Sequence, residues 1–119
     1  MATQSFKDLI VWQRAKTLYV EIHKAFKDVK DYSFRDQILR AALSVPNNIA
    51  EGYARRSDKA FKNFLFIAKG SVAEVESMLL MAPELDLINK EEQIELLAIA
   101  EEVSKLLMGF MKKLSAEDS

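Results

Sequence analysis

At 119 residues, half of them hydrophobic and with only three glycines and two prolines, the chain is sized for one domain with its own core and few loops. It has no cysteine, which excludes disulfides, thiolate chemistry and Cys-ligated metals and fits the cytoplasm. The formal net charge is −1, no stretch approaches the roughly eighteen apolar residues of a membrane span, and the opening MATQSFKDLIVW lacks the basic start and apolar run of a secretory leader, so neither insertion nor export is expected.

Apolar residues recur at helical spacing from about Lys7 to about Asp28. Val11, Ala15, Leu18, Tyr19, Ile22 and Phe26 form one stripe, and Arg14, Glu21, Lys24, Lys27 and Asp28 lie opposite. Trp12 stands at the edge of the stripe, where its ring packs and its N–H needs a polar partner. His23, the only histidine, reads as a surface or core-edge residue, because nothing of its kind is present to complete a common zinc site.

A short turn over residues 29–32 follows, and Ser33 with Asp36 reads as the capping box of a second helix running to about Arg56. This helix has three faces. Phe34, Ile38, Ala41, Val45 and Ile49 make one apolar stripe, and Leu39, Leu43, Pro46 and Ala50 make another. Between them runs a polar seam of Arg40, Ser44, Asn48, Glu51 and Arg55. One neighbour needs only one apolar face, so protein is expected on more than one side. Pro46 removes an amide donor and crowds the Ala42 carbonyl, which predicts a kink and an unserved carbonyl. Gly52 costs about 1 kcal/mol against alanine in a helix, a cost explained if another backbone approaches closely there.

Ser57 reads as the next N-cap, with Asp58 favouring the first turn of a third helix that runs to about Ala82. Phe61, Phe64, Leu65, Ala68, Val72, Val75 and Leu79 line its main face, Ile67, Ser71, Glu74 and Met78 an adjacent mixed one. Phe66 and Leu80 point away from that stripe, and Gly70 and Ser71 are small enough for tight contact; both features ask for further coverage. Pro83 ends the helix, and PELDLIN forms the longest connection. Asn89 with Glu92 is a second capping box, opening a fourth helix from Lys90 to about Leu114 that packs Leu96, Ala100, Val103, Leu107, Phe110 and Leu114. Residues 115–119 are expected to fray. Four such segments joined by short links predict an all-α, up-down-up-down antiparallel four-helix bundle with a kinked second helix, a single domain over 1–119 with its core at about 6–114.

Charge is unevenly placed along this chain. Residues 35–69 carry seven Lys/Arg against three acids, and residues 74–102 carry nine acids against the single Lys90. Two solvated faces of opposite sign account for this; the same asymmetry can also bring the basic end of one subunit to the acidic end of another.

Catalytic chemistry finds little support. A di-iron bundle wants Glu-x-x-His pairs, and Val20 occupies the place three before His23. Glu74 and Glu76 are two apart and do not share a helical face. There is no HExxH, phosphate-binding loop or GxGxxG, and Ser44 has no histidine placed to activate it; no enzyme activity and no cofactor or metal is expected. The seam of Arg40, Ser44, Asn48 and Glu51 is the most informative constellation. It reads first as a structural network, with Glu51 receiving Arg40 or Arg14, and second as a ligand groove. Arg55, Arg56, Lys59 and Lys62, clustered where the second helix meets the third, suit salt-dependent phosphate contacts, without any reader element for sequence.

These stretches resemble the four-helix bundle proteins encoded by intervening sequences in bacterial 23S ribosomal RNA genes, also labelled the S23 ribosomal protein family. The resemblance lies in FKDLIVWQRA, in RAALSVPNNIAEGYARRS (Arg40, Ser44, Pro46, Asn48, Glu51, Gly52 and Ser57) and in FLFIAKGSVAEVE, and it spans about residues 6–114. Lys69 stands where the family often has arginine, and Asp86 where a glycine commonly closes the third helix. The resemblance implies a ring-like homopentamer with no established biochemical activity. It also implies kinship with the strongly basic accessory protein of diversity-generating retroelements, which binds nucleic acid; the net charge of −1 departs from that branch. The expectation is therefore a cytoplasmic, non-enzymatic, homo-oligomeric interaction or scaffold protein without a membrane partner. An RNA- or DNA-binding module using Arg55, Arg56, Lys59 and Lys62 is the alternative, and an enzyme or small-ligand binder the least favoured.

Overall fold

The computed structural model describes residues 5–117, and expectations that fall on residues 1–4, 118 and 119 lie outside the described residues. Four helices follow in order: α1 (Ile10–Phe26), α2 (Tyr32–Ala54), α3 (Asp58–Met81) and α4 (Lys90–Glu117). Each packs on the next and α4 returns to α1, while the backbones of the diagonal pairs α1–α3 and α2–α4 stay more than 8 Å apart among the described residues. With connections this short, consecutive helices run antiparallel, which makes the up-down-up-down bundle. The molecule is 46 Å long and about half as wide, as helices of this length laid side by side require.

The core is the set of stripes read from the spacing. Leu18, Ile22 and Phe26 of α1, Ile38, Val45 and Ile49 of α2, Leu65, Val72, Val75 and Leu79 of α3, and Val103 and Leu107 of α4 are all fully buried. Tyr19, Phe34 and Phe110 pack against them from half-buried positions.

The helix boundaries depart from expectation at three places. First, the chain does not enter α1 at Lys7. Phe6–Asp8 form a separate 3-10 turn capped by the Ser5 side chain, and Leu9 is extended (φ −77°, ψ 126°) before α1 begins. The Phe6 ring folds back edge-on to Trp12 at 5.1 Å, and Gln13 donates to the Lys7 carbonyl at 2.9 Å, so the break is filled on both its apolar and its polar side. Second, Asp31 caps α2 in place of Ser33: its Oδ1 accepts from the Phe34 amide at 3.1 Å. A carboxylate adds charge to the same hydrogen bond at the positive end of the helix. Asp36 pairs instead with Arg35 at 3.0 Å. Third, α4 continues through Glu117, past the expected end at Leu114. The Ser57 cap (Ala60 N to Oγ, 3.2 Å) and the reciprocal Asn89–Glu92 box (2.8 and 3.0 Å) form where expected.

α2 runs unbroken across Pro46, which is buried. The turn after α3 is closed by Asp86 itself, at φ 60°, with Leu87 N bonding back to Ala82 O and Asp86 N to Pro83 O, both at 3.0 Å. A glycine would adopt this left-handed geometry without a Cβ penalty.

Two contacts set how α3 sits between its neighbours. A Cβ on Gly52 of α2 would lie 2.6 Å from Cβ of Phe64, so this glycine is what lets α2 and α3 close. At the other junction, Gln93 of α4 is buried and donates from Nε2 to the Leu79 carbonyl at 3.0 Å. In an unbroken helix that carbonyl takes the amide four residues on, which here is Pro83 and has no hydrogen. The glutamine fills the gap that the proline leaves.

Candidate interaction surfaces

The polar seam of α2 meets α3 in part. Asn48 donates from Nδ2 to the Ser44 carbonyl at 2.8 Å and to Ser44 Oγ at 2.9 Å. Ser44 Oγ in turn shares a hydrogen bond with Ser71 Oγ of α3 at 2.8 Å, and Gln37 donates to the Glu74 carboxylate nearby. Ser44, Asn48 and Ser71 are half-buried, so this cluster ties the two helices at a fixed register.

Arg40 and Glu51 stand outside it. The expected pairing of Glu51 with Arg40 or Arg14 does not form. Eleven residues separate Arg40 from Glu51, about 16 Å along a helix, beyond side-chain reach. Glu51 pairs with Arg55 one turn away at 2.9 Å, and Arg14 crosses to Glu102 of α4 at 2.8 Å. Arg40 is exposed and makes no hydrogen bond or ion pair among the described residues. Nor do the seam's donors reach the Ala42 carbonyl: the amide of Asn48 serves Ser44.

At the α2–α3 turn the four basic residues are brought together but not left equally free. Arg55 is held by Glu51 and lies 5.0 Å from the centre of the Phe64 ring. Arg56 is exposed and takes a left-handed conformation (φ 58°) to turn the chain. Lys59 is exposed and Lys62 half-buried, and neither forms an ion pair among the described residues.

A third surface joins Leu80, which the spacing already turns outward, to a second face of α4. Glu76 and Leu80 of α3, with Ile94, Leu97, Ala98 and Glu101 of α4, line an open groove of about 550 Å³. Leu80 and Ile94 are more than half exposed. Burial pushes the Glu76 carboxyl above its ordinary range, Glu101 adds to the rise, and Lys69 opposes it. The signal was present: Ile94, Leu97, Ala98 and Glu101 recur at helical spacing on a second face of the fourth helix.

His23 is exposed and sits beside Tyr19, and among the described residues no three His, Asp or Glu side chains converge as metal ligands would. No helix of the described residues is long and apolar enough to cross a membrane.

Comparison with solved structures finds a protein with unknown function from the S23 ribosomal protein family of Bacteroides thetaiotaomicron. It is 27% identical, matches with a TM-score of 0.82, and the alignment covers 87% of this chain and 99% of that one. A search of curated proteins gives no match. The model of the family described as 23S rRNA-intervening sequence protein matches residues 7–109, a span holding α1, α2, α3 and most of α4, both halves of the Ser44–Ser71 contact and the Gly52 crossing. The chain therefore belongs to the 23S rRNA-intervening sequence protein family.

Proposed function

We propose that the protein is a non-enzymatic, cytoplasmic homo-oligomer that acts as an interaction or scaffold unit, a pentamer being the assembly its family resemblance favours. One observation carries this reading. α3 buries a full stripe inside the bundle and still leaves Phe66 72%, Leu80 56% and Ile67 51% exposed. Leu43 of α2 and Ile94 and Met108 of α4 add to the uncovered apolar surface on the neighbouring helices. Scattered single apolar residues are ordinary on a protein surface, but repeated ones on adjoining helices mark a contact with protein. Native mass spectrometry and light scattering over a micromolar concentration range test the reading. A single mass several times that of the 13.6 kDa chain is expected; a monomer at every concentration rejects assembly.

The nucleic-acid alternative rests on Arg56, Lys59 and Lys62, which lack ion-pair partners among the described residues. Arg55 is already committed to Glu51, so the cluster presents less free charge than its sequence implies. Titration of labelled single-stranded RNA at two salt concentrations checks it. If these side chains hold phosphates, Arg56→Glu with Lys59→Glu weakens binding and flattens its salt dependence. Binding unchanged by the double reversal removes the cluster from consideration.

A further inference from the structure

Resting on that assembly reading, the structure also points to which two faces meet. We infer that the α3–α4 groove of one copy receives the outer flank of α2 from a second copy, around Leu39, Arg40 and Leu43.

The two faces complement each other in apolar character and charge. The groove is apolar at Leu80, Ile94, Leu97 and Ala98, and it holds two carboxylates, Glu76 and Glu101, neither of which forms an ion pair among the described residues. Burial and the neighbouring Glu101 raise the affinity of Glu76 for a proton, and Lys69 opposes this from a distance without forming an ion pair with either acid among the described residues. The α2 flank supplies the converse. Leu43 is 41% exposed, Leu39 is half-buried beside it, and Arg40, three residues before Leu43 and so its neighbour on the helix surface, has no partner among the described residues. An arginine suits this place because its planar, weakly hydrated head tolerates an apolar border and can serve two carboxylates at once. The wider chain carries the same complementarity, with its basic excess over residues 35–69 and its acidic excess over residues 74–102.

The position of the two faces has a consequence for symmetry. α2 and α4 are diagonal in the bundle, and among the described residues their backbones do not come within 8 Å of each other. One copy can therefore offer its α2 flank to one neighbour while its groove accepts another. Different patches meeting in this way make a head-to-tail interface, which closes into a ring or continues as a filament, in contrast to the self-complementary patch of a two-fold dimer.

Mixing two defective copies tests this. Leu43→Asp spoils the α2 flank and leaves the groove intact; Ile94→Asp does the reverse. Both positions are exposed, so the helix content of each variant, read by circular dichroism, is expected to match the parent. Each variant alone is expected to be monomeric where the parent is assembled, with the concentration for half-assembly raised about 30-fold or more. Mixed in equal amounts, the two retain one working interface, and native mass spectrometry is expected to show a heterodimer and nothing larger. If either variant alone keeps the parental subunit number, that face lies outside the interface and the inference fails while assembly stands. A mixture that stays monomeric shows that the two faces do not meet each other. A parent that is monomeric throughout removes the assembly reading itself.

Discussion

Gly52→Ala is expected to lower the melting temperature by roughly 6–10 °C, against the usual effect of replacing a helical glycine. Two contributions oppose each other. Alanine improves helix propensity by about 1 kcal/mol. The new methyl would stand 2.6 Å from Phe64 Cβ and 3.0 Å from the Phe61 ring. Phe64 Cβ is fixed to the α3 backbone and cannot swing aside, so α2 and α3 must separate, and overpacking of this kind costs up to about 3 kcal/mol. The clash wins by about 2 kcal/mol. Gly109→Ala provides the internal comparison: it is also helical, and nothing lies within 4 Å of its added methyl. There the propensity gain of about 0.5–1 kcal/mol is expected to appear undiminished. Thermal melts of the two variants side by side check the argument, which fails if Gly52→Ala is as stabilising as Gly109→Ala.

Gln93→Leu is expected to destabilise the protein by about 1–3 kcal/mol, although it places an apolar residue at a buried site. Gln93 is 5% exposed and its Nε2 serves the Leu79 carbonyl at 3.0 Å. Leucine matches the volume and leaves that carbonyl without a donor, because Pro83 supplies none. A double-mutant cycle separates this from simple repacking. In a Pro83→Ala background, residue 83 again carries an amide that can reach Leu79, so Gln93→Leu is expected to cost about 1 kcal/mol less than in the parent. Equal costs in the two backgrounds, measured by denaturant unfolding, would show that the glutamine does not stand in for the missing amide.

Legibility differed between kinds of feature. Apolar stripes at Leu18, Ile22, Val45, Leu65, Val72 and Leu107 could be read directly, since only a buried helical face repeats in that way. The Ser57 and Asn89–Glu92 caps were equally plain, because the donor and acceptor lie within one turn of each other. The start of α2 is not fixed by sequence alone, because Asp31 and Ser33 are both good caps and nothing local chooses between them. In the seam, the Asn48–Ser44 bond is local, whereas Ser71 and Glu74 enter from α3.

The sequence by itself determined four amphipathic helices, their short links, the absence of thiol chemistry and membership of a family of such bundles. Its periodicity says which side of each helix is apolar, and that is enough to specify a bundle. Only the tertiary structure decided which charged groups found partners, that Arg14 reaches Glu102 while Arg40 pairs with nothing among the described residues, and that Glu76 and Glu101 line the same apolar groove. The reason is range. Helical patterning follows from neighbours three or four residues apart, whereas a cross-helix pair depends on the rotation and axial offset of two helices, which the summed packing of the whole core sets.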